Sequence, residues 1–86
     1  MSYLGFERLT MTGSVLNATL PGGVNKVLII PEAPLGEILR FAINTTASTT
    51  SPKIPATDLI LSIWNLLQLS FYGPVGTYVD VLYFAS

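Results

Sequence analysis

The stretch DLILSIWNLLQLSFYG, residues 58–73, decides between an all-β chain and one built around a helix. Leu59, Ile63, Leu66 and Leu67 would share one face of a helix, with Thr57 or Asp58 as its cap. The same residues also divide into two strands, Asp58 to Ile63 and Leu66 to Tyr72, paired across a tight connection at Trp64 and Asn65. The rest of the chain is rich in β-branched and aromatic residues, which favours the two-strand reading. A membrane span is the third reading, because no charge occurs between Asp58 and Asp80. Gly73, Pro74 and Gly76 would end such a helix near Tyr72. The remaining segment would rise about 21 Å against a hydrocarbon core of about 30 Å, with Asn65 and Gln68 in mid-span. No membrane partner is expected on these grounds.

The flanking segments carry strand patterns. In RLTMTGSVL, Leu9, Met11 and Val15 alternate with Thr10, Thr12 and Ser14, and Gly13 marks a bulge. Pro21-Gly22-Gly23 is a turn, VNKVLII follows as a second strand, and Pro31 should stop it. Pro34 and Gly36 bound a loop before EILRFAI, the third strand. NTTASTTSPKIP, residues 44–55, offers little to bury and reads as a surface loop. Gly73 to Gly76 turn the chain into a final strand, TYVDVLYFAS. The expected fold is therefore all-β: a small antiparallel β-sandwich of about six strands. Residues 1–6 form a short N-terminal arm and residues 7–86 a single domain.

At 86 residues the chain can build one modest core. Half of its residues are hydrophobic, but only 10% are charged, against roughly 25% in a typical soluble domain. The net charge of −1 comes from scattered single residues with no basic stripe, so nucleic acid is not an expected partner. The chain contains neither Cys nor His, which removes thiolate chemistry, disulfides and the usual base near neutral pH. Glu7, Glu32, Glu37, Asp58 and Asp80 lie in different segments, with no spacing that predicts a catalytic or metal-binding pair. The glycine turns lack a P-loop lysine. No enzyme, cofactor or metal is expected.

The opening GFERLTMTGSV, the EILRFAIN strand with its Arg, the Thr-rich loop NTTASTTSP, the polar step PATD and the closing TYVDVLYFA with its Val81-Leu82-Tyr83 ending form one series of strand and loop types. Together these segments resemble a group of small β-sandwich proteins encoded among the structural genes of tailed bacteriophages. The resemblance spans nearly the whole chain as a pattern of strand and loop types. Members often carry a Gly after the Thr-rich loop, whereas here the loop runs into Pro52, Lys53 and Pro55. The resemblance implies a virion component without enzymatic activity: a capsid decoration or cement protein, or alternatively a tail, baseplate or fibre protein. Its implied location is the virion, with the major capsid protein or another virion protein as partner.

The last strand adds a physical clue. Val79, Val81, Tyr83 and Ala85 share one face, while Tyr78, Leu82 and Phe84 accompany Asp80 on the face that should meet water. Lys26 similarly labels a face with Val24, Leu28 and Ile30, and Arg40 one with Ile38 and Ala42. Covering Leu28, Ile30, Ile38, Leu82 and Phe84 would supply about 8 to 15 kcal/mol gross, comparable with association costs of about 4 to 15 kcal/mol. The expected partner is therefore a further copy of the chain, in a homo-trimer. Tyr3, Leu4 and Phe6 are expected docking anchors on the arm, and Tyr78 completes the surface around Leu82 and Phe84. Arg40 is read either as an ion-pair partner across subunits or as a charge guarding a strand edge. Trp64 is read as core or interface.

Overall fold

Residues 58–73 form two strands and no helix. The computed structural model describes residues 2–32, 38–55 and 57–85, and these contain seven β-strands. They are β1 (Ser2–Thr10), β2 (Leu16–Asn17), β3 (Lys26–Glu32), β4 (Arg40–Ile43), β5 (Leu59–Ser62), β6 (Leu69–Tyr72) and β7 (Tyr78–Ala85). They make a four-stranded sheet in the order β1-β7-β3-β5 and a three-stranded sheet in the order β2-β6-β4, with every pairing antiparallel. The molecule is a small antiparallel β-sandwich.

Alternation places the core between the sheets. Val27 and Ile29 of β3 and Val79, Val81 and Tyr83 of β7 point inward from the four-stranded sheet, and Leu69 and Phe71 of β6 meet them from the other side. Met11, Val24, Leu39, Ile54 and Leu66, all from connecting segments, close the ends of this cluster.

Four expectations are corrected. Strands β5 and β6 do not pair with each other: β5 lies on β3 and β6 lies between β2 and β4, so Ile63 to Gln68 carry the chain from one sheet to the other. Asn44, at φ 56°, pins this crossover. Its Oδ1 accepts from the backbone N–H of Leu67 at 2.7 Å and of Gln68 at 3.1 Å, while its Nδ2 donates to the carbonyl of Asn65 at 2.7 Å.

The segment RLTMTGSVL is also split between sheets. β1 ends at Thr10, and after a bend at Gly13, φ 89°, the chain enters the three-stranded sheet as β2. Residues 2–6, expected as an arm, are the first half of β1 and pair with the end of β7. The register shifts between Tyr3 and Gly5, so Leu4 is an inserted bulge residue, and Gly5 at φ 138° takes the backbone angle the bulge requires.

Pro31 does not end β3, which continues to Glu32. β5 pairs with β3 only as far as Ile29, so the missing N–H of Pro31 costs no ladder bond on that side.

The Thr-rich segment is the expected surface loop, and it is anchored as a strap over the outer face of the three-stranded sheet. Ala47 donates its N–H to Ser70 Oγ, which donates to the carbonyl of Thr45, each at 2.8 Å, and Ala42, Ala47 and Ser70 are all buried. Phe41 N–H to the Pro52 carbonyl and Ile54 N–H to the Leu39 carbonyl then lay residues 52–54 along β4.

Candidate protein–protein interface

The outer face of the four-stranded sheet is built from cross-strand rows. Ile60 lies opposite Leu28, Leu28 opposite Leu82, and Leu82 opposite Phe6, which makes one apolar row across β5, β3, β7 and β1. The next row towards one end holds Ser62, Lys26, Phe84 and Tyr3. Towards the other end, Ile30, Asp80 and Arg8 form a row, followed by Glu32, Tyr78 and Thr10.

Directly opposed side chains on one face of a sheet touch, so the rows act as continuous strips. Tyr3 and Phe84 pack with ring centroids 5.7 Å apart at 60°. Leu28, Ile30, Leu82 and Phe84 are half-buried by their neighbours, whereas Phe6 and Ile60 remain 67% and 66% exposed at the two ends of the central row.

One ion pair interrupts the apolar surface. Arg8 donates from Nε and Nη2 to the two carboxylate oxygens of Asp80, at 2.7 and 3.0 Å, and its guanidinium lies 4.2 Å over the Tyr78 ring. The hydrogen bond from Arg8 lowers the Asp80 pKa, and the same bond raises that of Arg8. With both charges satisfied within the sheet, this pair leaves little net field, and Lys26 and Glu32 become the distinguishing charges at opposite ends of the face.

Of the residues expected at an interface, Tyr3, Phe6, Leu28, Ile30, Tyr78, Leu82 and Phe84 share this face. Leu4 sits in the bulge. Ile38 and Arg40 lie elsewhere, lining an open cleft of about 480 Å³ with Gly13, Tyr72, Gly73, Pro74 and Val75. There Arg40 Nη1 donates to the Ser51 carbonyl at 2.7 Å, an intramolecular role within the strap. Two companions of the charge labels also differ from expectation: Val24 belongs to the core, and Ala42 is covered by the strap.

Ile60 was missed, although its signal was present: it alternates with Asp58 and Ser62 on the polar side of β5. Trp64, 89% exposed, is not a core residue. It borders a shallow pocket of about 250 Å³ with Asn25, Lys26, Ser62 and Ile63.

Among the described residues no group of three or more acidic side chains gathers at one place. No protein-family model, curated protein or solved structure matches the chain.

Proposed function

We propose that the protein is a non-enzymatic structural component that self-associates through the outer face of its four-stranded sheet, and that it serves as a capsid decoration or cement protein of a tailed bacteriophage. The observation that carries the self-association is the row Ile60–Leu28–Leu82–Phe6, with Tyr3, Phe84 and Ile30 beside it. A contiguous apolar surface on a chain with so few charges favours a protein partner. The virion role rests on the sequence resemblance, and the mechanism follows from burial. Each protomer that bridges neighbouring shell subunits adds apolar contact that must be separated before the shell opens, at about 25 cal/mol per Å² covered.

Sedimentation of the intact protein at micromolar concentration tests the first part. The wild type is expected to associate, and Phe6→Ser and Ile60→Ser, both at exposed positions, are expected to return it towards the 9.3 kDa monomer. A monomeric wild type would remove the reading. Immunogold labelling of native particles tests the second part. Label over the shell is expected; label confined to the tail would replace decoration with a tail role, and unlabelled particles would end the virion assignment.

A further inference from the structure

The face that carries the proposed self-association is charged in opposite senses at its two ends. The outer residues of β3 read Lys26, Leu28, Ile30, Glu32 in order, a cation and an anion placed symmetrically about an apolar centre. At the Lys26 end, its row companions Ser62, Phe84 and Tyr3 are uncharged. At the Glu32 end, Arg8 offsets Asp80 through their bidentate contact, and exposed Asp58, one residue before β5, adds a further acid. With Arg8 offsetting Asp80 alone, Glu32 and Asp58 make the end as a whole acidic.

We infer that the occupant of this face is a second copy of the same chain, packed face to face about a two-fold axis that lies in the interface at right angles to the strands. Such an axis reverses strand direction while keeping β3 over β3 and β7 over β7. It passes at the level of Ile29 and Val81, between the Leu28–Leu82 row and the Ile30–Asp80 row.

Lys26 then meets Glu32 of the partner subunit, and Glu32 meets Lys26 of the partner subunit, so one charge pair forms twice. The same operation brings Phe84 to Tyr78 of the partner subunit, and Phe6 to Arg8 of the partner subunit. These are an aromatic pair and a cation–π contact. A two-fold parallel to the strands and running over β3 would set Lys26 on Lys26 and Glu32 on Glu32, placing like charges together at both ends. Face-to-face packing closes with two copies, so this surface makes a dimer; a trimer would require another surface.

The inference rests on the self-association reading, and charge reversal separates the two. Lys26→Glu and Glu32→Lys, both outside the core, are each expected to weaken association by at least about tenfold, because each places two like-charge contacts in a two-fold interface. The double variant Lys26→Glu/Glu32→Lys restores opposite signs and is expected to recover the wild-type constant within about threefold. Far-UV dichroism and melting of each variant confirm the fold. Two single effects that accumulate in the double variant, or singles without effect, would overturn the two-fold. If Phe6→Ser and Ile60→Ser still dissociate the protein in that case, self-association through the face survives and its orientation alone fails.

The absence of native cysteine allows a second readout. Packed sheets lie about 10 Å apart, too far for a direct disulfide, so a short bis-maleimide crosslinker that reaches about 10 Å is used: a mixture of the Lys26→Cys and Glu32→Cys proteins is expected to yield the mixed covalent dimer at about twice 9.3 kDa. Efficient self-crosslinking of either variant alone, without the mixed product, would overturn the arrangement, as would a sedimentation mass of three protomers.

Discussion

Tyr83 shows how one side chain ties the core to an edge strand. Its ring is buried at 2% exposure on the inner face of β7, and its hydroxyl donates to Glu7 Oε1, which also accepts the backbone N–H of Thr19 at 2.6 Å. Burial, reinforced by the neighbouring Glu7 carboxylate, holds the phenol pKa well above its ordinary value of 10.0. The folded protein therefore favours the protonated phenol. Stability from this group is complete below about pH 10 and declines as pH rises further, because the unfolded chain can ionise where the native state cannot. Replacement Tyr83→Phe removes the hydrogen bond and the titration together. It is expected to cost about 1 to 2 kcal/mol at neutral pH and to flatten the alkaline decline, as urea unfolding at pH 7 and pH 10.5 would show. A wild-type-like decline in the variant would place the alkaline sensitivity elsewhere.

At the scale of elements, the Ile63-to-Gln68 crossover determines which strands become neighbours. A hairpin of β5 on β6 would have put residues 58–72 in one sheet. Instead Asn44 satisfies three backbone groups of the crossover from the end of β4, holding Leu66 in the core while Leu67 stays exposed. Asn44→Gly retains access to φ 56° but loses these bonds, and is expected to cost about 1 to 3 kcal/mol. Asn44→Ala should cost about 1 kcal/mol more, because a β-carbon disfavours the left-handed region. The two denaturation midpoints separate side-chain bonding from backbone strain; equal losses would show that the strain is unimportant. Asn is among the few non-glycine residues that enter this region readily, which fits it to the corner at the end of β4. Its partners, more than 20 positions away, were not legible from local pattern.

For the whole molecule, the N-terminal segment tests how the sandwich is closed. A dispensable arm could be removed without a change in melting. Here residues 2–6 pair with Tyr83 to Ala85, with Leu82 opposite Phe6, so deleting residues 1–6 uncovers the end of β7 and truncates the central apolar row. The deletion is expected to cost at least about 2 kcal/mol of stability as well as association, measured by thermal unfolding and sedimentation. An unchanged melting temperature would show that this half of β1 contributes nothing to the fold.

The β-branched and aromatic content of the chain favoured the all-β class, and alternation at period two identified the opposed faces of β7 and β3, because side-chain direction in a strand is a local property. It also exposed the unusual apolar companions of Lys26 and Asp80. Strand neighbours, the strap over Ala42 and the withdrawal of Arg40 from the apolar face depended on contacts between distant parts of the chain. Local pattern says which side of a strand is greasy. Only tertiary pairing decides which strands lie together, and so brings Phe6, Leu28, Ile60 and Leu82, widely separated in sequence, into one surface.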